Sequence, residues 1–174
     1  MSMSATDMPD MRGVSSMHAM FRGAKVFNSD ISQWDTSGVT TMSQMFYEAH
    51  NFNQPIGDLN TANMIDMSWM FARTNQFNQP LVGLNTSNVT SMASMFNSAA
   101  SFDQSLASLN IEKVTNLNGI LNQTNLSLSN YDDSLISWAS QSVNPGLIIH
   151  ASPATYCAIE ARGILTSAPI LDLS

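Results

Sequence analysis

The sequence contains one cysteine, few charged residues and no long apolar run. Because Cys157 has no second cysteine to pair with, the chain can form neither an intrachain disulfide nor a cysteine-based metal site. Charged residues make up 11% of the chain, against roughly 25% in typical soluble domains. We therefore expect a surface built mainly from uncharged polar side chains.

Basic residues are also scarce, which restricts the classes of partner. The chain has 6 Lys and Arg residues against 13 Asp and Glu residues, for a net charge of −7. This balance argues against nucleic acids and anionic membrane surfaces as partners. No stretch approaches the roughly 18 consecutive apolar residues of a membrane span, and residues 1–13 lack the apolar segment of a signal peptide. We expect no membrane insertion and no signal peptide in this chain.

What the 174-residue sequence does contain is an internal repeat with a period of 25 residues. The dipeptide Met-Phe recurs at this period, and its fifth position is occupied by Ile120-Leu121. The four Met-Phe pairs are Met20-Phe21, Met45-Phe46, Met70-Phe71 and Met95-Phe96. Further apolar columns keep the same register and begin at Val14, Met17, Phe27, Ile31 and Trp34. We interpret these columns as core packing, which accounts for the abundance of methionine.

The order of residues within a unit predicts its local structure. The spacing Val-x-x-Met-x-x-Met-Phe places the apolar residues on one face of a short helix or 3₁₀ turn. The segment Phe-Asn-Gln-x-Ile/Leu is extended in character, and Asn-Thr-Ser-Asn is typical of a turn. One unit cannot bury its apolar face alone, so we predict an α/β repeat solenoid, LRR-like, with one short parallel strand and one short helix or 3₁₀ turn per 25-residue coil. About five coils would span residues 1–130, the first one incomplete.

Two polar columns are interpreted as structural ladders that bond the backbone at the turns. One column follows the Phe of the extended segment, and the other follows the Trp or Leu that ends it. Their members are Asn28, Asn53, Asn78 and Asp103 in the first column and Asp35, Asn60, Asn85 and Asn110 in the second.

The repeat resembles that of the BspA-family leucine-rich-repeat surface proteins. Residues 34–46 read Trp-Asp-Thr-Ser-Gly-Val-Thr-Thr-Met-Ser-Gln-Met-Phe. The family's units read roughly W-D-V-S-N-V-T-D-M-S-x-M-F-x-x-A-x-x-F-N-Q-D-I-S, and the likeness extends over about residues 9–130. The resemblance implies an extracellular or cell-surface protein that uses an LRR-like solenoid in adhesion or partner recognition. It implies no catalytic residues.

The chain departs from the family pattern at both ends of the array. Pro9 stands at the position of the Trp or Leu column, so the first coil is expected to begin in mid-unit, without a capping element beyond residues 1–11. The last residues, 169–174, lack the family's closing aromatic strand and Gly-Gly, and no anchor motif is present. We expect residues 131–174 to form a capping region of the same domain.

The capping region is predicted to be mainly helical. A helix is expected over residues 132–141, with Leu135, Trp138 and Ala139 on one face, and a turn at Asn144-Pro145-Gly146. Residues 147–149 form a buried strand in this prediction, and a second helix spans roughly residues 153–162, with Tyr156 and Cys157 packed inward.

The sequence offers no catalytic, cofactor-binding or metal-binding constellation, so we predict no enzyme and no cofactor. His18, His50 and His150 fall in different columns, and the carboxylates follow no calcium-loop pattern. Candidate partner contacts are instead residues at variable surface positions, where Trp and Arg are favoured as binding anchors. These candidates are Trp69, Tyr47, Glu48, Arg73, Gln33 and Asp58.

Three functions remain open at this point. The first is a noncatalytic binding or adhesion module that recognises protein or glycan. The second is a structural assembly subunit that docks onto another protein, or onto itself, through its uncapped N-terminal coil. The third is ice or crystal-surface binding through regular Thr columns, which Ile65 and Ile111 interrupt.

Overall fold

A computed structural model describes residues 9–149 and 171–172. Successive 25-residue units lie side by side, joined by parallel bridges at one position per unit. The bridges join Ser16 to Thr41, Thr41 to Asp66, Asp66 to Ser91, and Ser91 to Asn116. The repeat in the sequence is therefore a repeat of hydrogen-bonded neighbours in space. The assignment to an LRR-like solenoid stays a prediction.

The internal structure of each unit differs from the sequence prediction in two places. The Val-x-x-Met-x-x-Met-Phe segment forms consecutive turns, because Met45, Tyr47 and Ala49 each donate an N–H to the carbonyl three residues earlier. This turn series brings residues three apart to one side, as a helix does, so the apolar spacing fits both structures. Within the described residues these segments are hydrogen-bonded turns and contain no helix.

The parallel bridges also lie elsewhere than predicted, next to the turns and not in the Phe-Asn-Gln segment. In that segment the backbone N–H of Asn53 donates to the side-chain Oδ1 of Asn28 at 2.9 Å. Asn78 and Asp103 repeat this bond on the units that follow, each at 2.9 Å. Because side chains take the place of backbone acceptors here, the segments are extended but form no strand ladder. The predicted role of this Asn column as a structural ladder is confirmed.

The core is a set of stacked columns that run through all the units. Phe46 and Phe52 stack within one unit at a ring-centroid distance of 3.8 Å, and Phe46 stacks on Phe71 of the next unit at 5.5 Å. The methionines at 42, 45, 67 and 70 are at most 1% exposed. Burying a large apolar side chain contributes about 1.5–3 kcal/mol, so these columns supply most of the stabilisation. The core-packing interpretation of the Met and Phe columns is confirmed for the described residues.

One helix packs on the C-terminal end of the stack, and a two-stranded sheet follows it. Helix α1 spans Leu128–Ala139 and buries Tyr131, Ser134, Leu135 and Trp138. Strand β1, Leu147–Ile148, pairs in parallel with β2, Leu171–Asp172. Gly146 precedes β1 in a turn with a φ of 79°.

Helix α1 begins four residues earlier than the predicted start at residue 132. Asp103 explains this difference, because its carboxylate accepts 2.8 Å hydrogen bonds from the Ser127 N–H and the Asn130 amide and so fixes the chain at the helix start. The predicted helix at 153–162, with Tyr156 and Cys157, lies outside the described residues, and so does His150.

We expect Asn53→Ala to lower the free energy of unfolding by about 1–3 kcal/mol, because it leaves the Asn78 N–H without its acceptor. Urea denaturation measures the change. The matched control is Asn51→Ala, since Asn51 is exposed and uses only its backbone N–H in the stack. Equal unfolding midpoints for both variants would contradict the structural role of the Asn column.

Asp103 makes the stability depend on pH. The Ser127 N–H and the Asn130 amide hold the pKa of the Asp103 carboxyl below its ordinary value. The folded state is thus stabilised above the ordinary carboxyl pKa, and this contribution is lost as the pH falls through the lower, folded-state value.

We expect Asp103→Asn, which keeps the acceptor oxygen, to remove this contribution. The difference in melting temperature between the wild type and the variant should shrink as the pH is lowered from about 6 to about 2. Asp58→Asn is the control, since Asp58 is exposed. A difference that stays constant over this range would show that the Asp103 carboxylate has no special role.

Candidate binding surface

The turn segments display two columns of residues with left-handed backbone conformation. The turn from Met42 to Met45 places Gln44 at its third position with a φ of 56°, and the next turn gives Glu48 a φ of 58°. Type II turns require a positive φ at this position and favour glycine there. Glycine nevertheless occupies only one position in each column. The first column is Ala19, Gln44, Trp69, Ser94 and Gly119, and the second is Gly23, Glu48, Arg73, Ser98 and Gln123.

Tyr47 lies between two guanidinium groups in this region. The Arg22 Cζ is 5.0 Å from the centroid of the Tyr47 ring, and the Arg73 Cζ is 5.8 Å from it. Both distances lie within the range at which a cation is attracted to an aromatic ring. The Trp69 ring packs beside the same tyrosine, with centroids 6.2 Å apart and planes tilted by 56°. Three successive units thus build one surface cluster.

Polar contacts complete this cluster. The Arg73 Nη1 donates to the Glu48 Oε1 at 3.0 Å, and the Arg22 Nη1 donates to the Gln44 Oε1 at 2.9 Å. We call the six residues the aromatic–arginine cluster, which consists of Arg22, Gln44, Tyr47, Glu48, Trp69 and Arg73. Its formal charge is +1 in a chain of net charge −7.

The cluster is exposed to solvent, and its polar contacts contribute little to the stability of the fold. The Arg73 side chain is 57% exposed, that of Glu48 is 35% exposed, and Trp69 is 37% exposed. Exposed ion pairs contribute about 0–1 kcal/mol to stability, so a ligand can replace the partner of either charge at small cost. Trp, Tyr and Arg are also the residues most enriched at the energetic centres of binding interfaces.

Four of the six predicted contact residues meet in this cluster, namely Tyr47, Glu48, Trp69 and Arg73. Gln33 and Asp58 are exposed, and no contact joins them to the cluster in the part of the chain that the structure describes. Sequence reasoning missed Arg22 and Gln44. The repeat itself could have found them, because Arg22 precedes Tyr47 by one period and Gln44 precedes Trp69 by one period.

A groove crosses four units along the turns that precede the bridges. This groove has a volume of about 450 Å³ and combines Thr, Asn and Ile side chains with Lys113 at one end. The Thr40 and Thr90 hydroxyls donate to backbone carbonyls of the preceding unit at 3.1 and 3.3 Å, respectively. The groove is lined by Gly38, Thr40, Asn63, Ile65, Asn88, Thr90 and Lys113.

The other Thr column is structural. Thr36, Thr61 and Thr86 are at most 3% exposed. The hydroxyls of Thr36 and Thr86 donate to backbone carbonyls of the next unit at 3.0 and 2.9 Å. This column is therefore closed to an external surface such as ice.

The described residues give no sign of a metal centre or of a membrane-spanning helix. No group of three or more His, Cys, Asp or Glu residues among them is arranged to hold a metal ion. The helix they contain is too short to cross a membrane. The His18 ring makes a 2.7 Å hydrogen bond to the Ser43 hydroxyl, and no carboxylate orients this pair within the described ranges.

Stacked units with an aromatic–arginine cluster on their turns define a repeat-containing protein. The family described as Mycoplasma protein of unknown function, DUF285, matches residues 2–85 and again residues 66–145. The chain belongs to this family, and the double match agrees with the internal repeat. Neither a curated protein nor a solved structure matches the chain.

The left-handed conformation of Trp69 gives an unusual order of stability for substitutions at this position. We expect Trp69→Gly to be more stable than Trp69→Ala by about 1 kcal/mol, because only glycine adopts a φ of 59° without strain. Urea denaturation of both variants checks this order.

Asn97 provides the matched pair, since its φ is not positive. There the alanine variant should be the more stable by about 0.5–1 kcal/mol. The same order at both positions would contradict the assigned backbone conformation.

Proposed function

We propose that this protein is a noncatalytic binding or adhesion module of a surface or secreted repeat protein. It recognises a protein or a glycan through the aromatic–arginine cluster. The observation that carries the proposal is the convergence of Tyr47, Trp69 and Arg73 with Arg22 on one accessible surface. Rigid aromatic rings and guanidinium groups are the side chains that most often dominate binding energy.

The architecture supports a binding role over a catalytic one. Stacked repeats present extended surfaces formed by equivalent positions of successive units, and such surfaces are used for recognition. The core columns and the hydrogen bonds between units restrict the residue type at interior positions. The residue type can vary at the exposed positions, and the cluster lies there. Within the described residues, neither a metal site nor an oriented nucleophile accompanies it. The proposal includes an LRR-like solenoid related to the BspA-type surface proteins and a location outside the cell.

Binding to glycan and protein arrays tests the proposal. The purified protein should bind a reproducible set of ligands, and the double variant Tyr47→Ala, Trp69→Gly should bind them at least about tenfold more weakly. Glycine is used at position 69 because the backbone there has a φ of 59°. Urea midpoints measured in parallel separate loss of contact from loss of fold.

Asn122→Ala is the matched control for this experiment. Asn122 occupies the column of Tyr47 three units further along, and among the described residues no arginine lies over an aromatic ring near it. This variant should bind like the wild type. An absence of hits on both arrays, or equal binding by the folded double variant, would refute the proposed function.

A further inference from the structure

The aromatic–arginine cluster holds two guanidinium groups but only one carboxylate. The Arg73 Nη1 donates to the Glu48 Oε1 at 3.0 Å, so these two charges form an ion pair. The Arg22 Nη1 donates at 2.9 Å to the Gln44 Oε1, which is the oxygen of an uncharged amide. Within residues 9–149, no carboxylate forms an ion pair with Arg22. The cluster is therefore one anionic group short of neutrality.

The contacts that hold Arg22 in place come from the unit that follows it. Its Cζ lies 5.0 Å from the centroid of the Tyr47 ring, and Gln44 belongs to the same unit as Tyr47. The backbone N–H groups of Phe21 and Gly23, on either side of Arg22, donate to carbonyls of that unit at 2.8 and 2.7 Å. The guanidinium group is thus held over an aromatic ring. Gln44 uses one of its N–H donors, and the other donors remain for a ligand.

A guanidinium group in this setting favours a carboxylate as its partner. The fork of N–H groups matches the two oxygens of a carboxylate, so two parallel hydrogen bonds can form. A guanidinium group is also more weakly hydrated than an ammonium group, so less bound water has to be removed on binding. Arg73 is less suited, because a ligand would first have to displace Glu48. We therefore expect Arg22 to hold the anion.

The net charge of the chain limits how much negative charge the ligand can carry. The chain has a net charge of −7, so a polyanion that extends beyond the cluster would meet an unfavourable field. Exposed charges more than about 8 Å apart are largely screened at physiological ionic strength. A single carboxylate at Arg22 therefore experiences mainly the positive charge of the cluster. This favours a ligand with one anionic group at the binding site.

The aromatic rings of the cluster provide an apolar contact area beside this anion site. The Trp69 side chain is 37% exposed and packs 6.2 Å from the Tyr47 ring. The half-buried polar residues Asn97 and Ser98 follow on the next unit. A sugar ring has an apolar face of C–H groups and a rim of hydroxyl groups. It can therefore lie on the Trp69 ring while its hydroxyls bond to polar side chains.

An extended peptide finds few backbone partners at the cluster. The backbone N–H groups of Gln44, Glu48, Trp69 and Arg73 each donate to a carbonyl of the next unit, and that of Tyr47 donates to the Gln44 carbonyl. A peptide that adds to a protein as a strand needs free main-chain groups, and these donors are already used. Recognition at the cluster must therefore rely on side chains, which favours a saccharide over a peptide.

We propose that the aromatic–arginine cluster binds an acidic saccharide, with the Arg22 guanidinium bonded to its carboxylate and the Trp69 ring against its sugar face. This inference rests on the proposed binding function and adds the chemical class of the ligand. It also separates the roles of the residues. Arg22 sets the preference for an acidic over a neutral sugar, whereas Tyr47 and Trp69 contribute to the affinity for both.

Two disaccharides that differ in one group test this proposal on the intact protein. Cellobiouronic acid carries a carboxylate where cellobiose carries the hydroxymethyl group of its terminal sugar. Titration followed by ¹H–¹⁵N chemical shifts should give a dissociation constant at least about tenfold lower for the acid, with the largest shifts at the cluster. Arg22→Gln should make the two constants equal. The matched control Arg12→Gln removes the same charge from a side chain that is 89% exposed and outside the cluster, so it should keep the preference.

Each contrary result would overturn the proposal. These are equal constants for the two disaccharides, an unchanged preference in Arg22→Gln, or no shifts up to about 10 mM of either sugar. Binding of the peptide N-acetyl-Ser-Glu-Ser-amide at least as tightly as cellobiouronic acid would identify acidic peptides as the ligand class instead. Array ligands that depend on Tyr47 and Trp69 but carry no acidic group would refute only the acidic-saccharide assignment. An absence of array ligands would refute the binding function itself.

Discussion

Backbone hydrogen bonds between successive units are the constraint on which the rest of the structure depends. They run from one unit to the next at fixed residue positions, so they hold equivalent residues in register one period apart. Any side chain then meets the equivalent residue of its neighbours. A position that faces the core in one unit faces it in every unit and must therefore carry an apolar residue throughout. This is why Phe occupies positions 46, 71 and 96 and Met occupies positions 42, 67 and 92.

The sequence predicts the core columns and the Asn column, because both follow from the register between units. It does not predict the turns or the positions of the bridges, because these depend on local backbone geometry. Period and apolar spacing located the core columns, and the Asn column was correctly interpreted as a ladder. The spacing predicts a short helix or 3₁₀ turn where the structure has a series of turns, because all of these place residues three apart on one side. The extended character of the Phe-Asn-Gln segment predicts that it forms the hydrogen-bonded strand. Its backbone donors in fact go to Asn side chains such as Asn28 and Asn53.

Contacts between surface residues are less predictable from the repeat than contacts in the core. The sequence predicts Trp69 as a contact because it departs from the small or polar residues of its column, and Tyr47 because it lies among the variable outer positions. The structure places their rings 6.2 Å apart. The sequence of its own unit does not single out Arg22 as a contact. Its guanidinium group becomes part of the cluster because it lies over the ring of Tyr47, one period later. Gln33 and Asp58 share one column, yet they lie apart from the cluster because column membership fixes stacking and not surface context.

The unequal ends of the stack have a consequence for its motions. Side chains of α1 and the residues after it tie down the last unit, whereas the first unit is held by its successor alone within the described chain. In a linear array each unit is stabilised by its immediate neighbours, so opening events begin where one neighbour is lacking. In the described stack, amide protons should therefore exchange with solvent most slowly where a unit has a bonded neighbour on both sides.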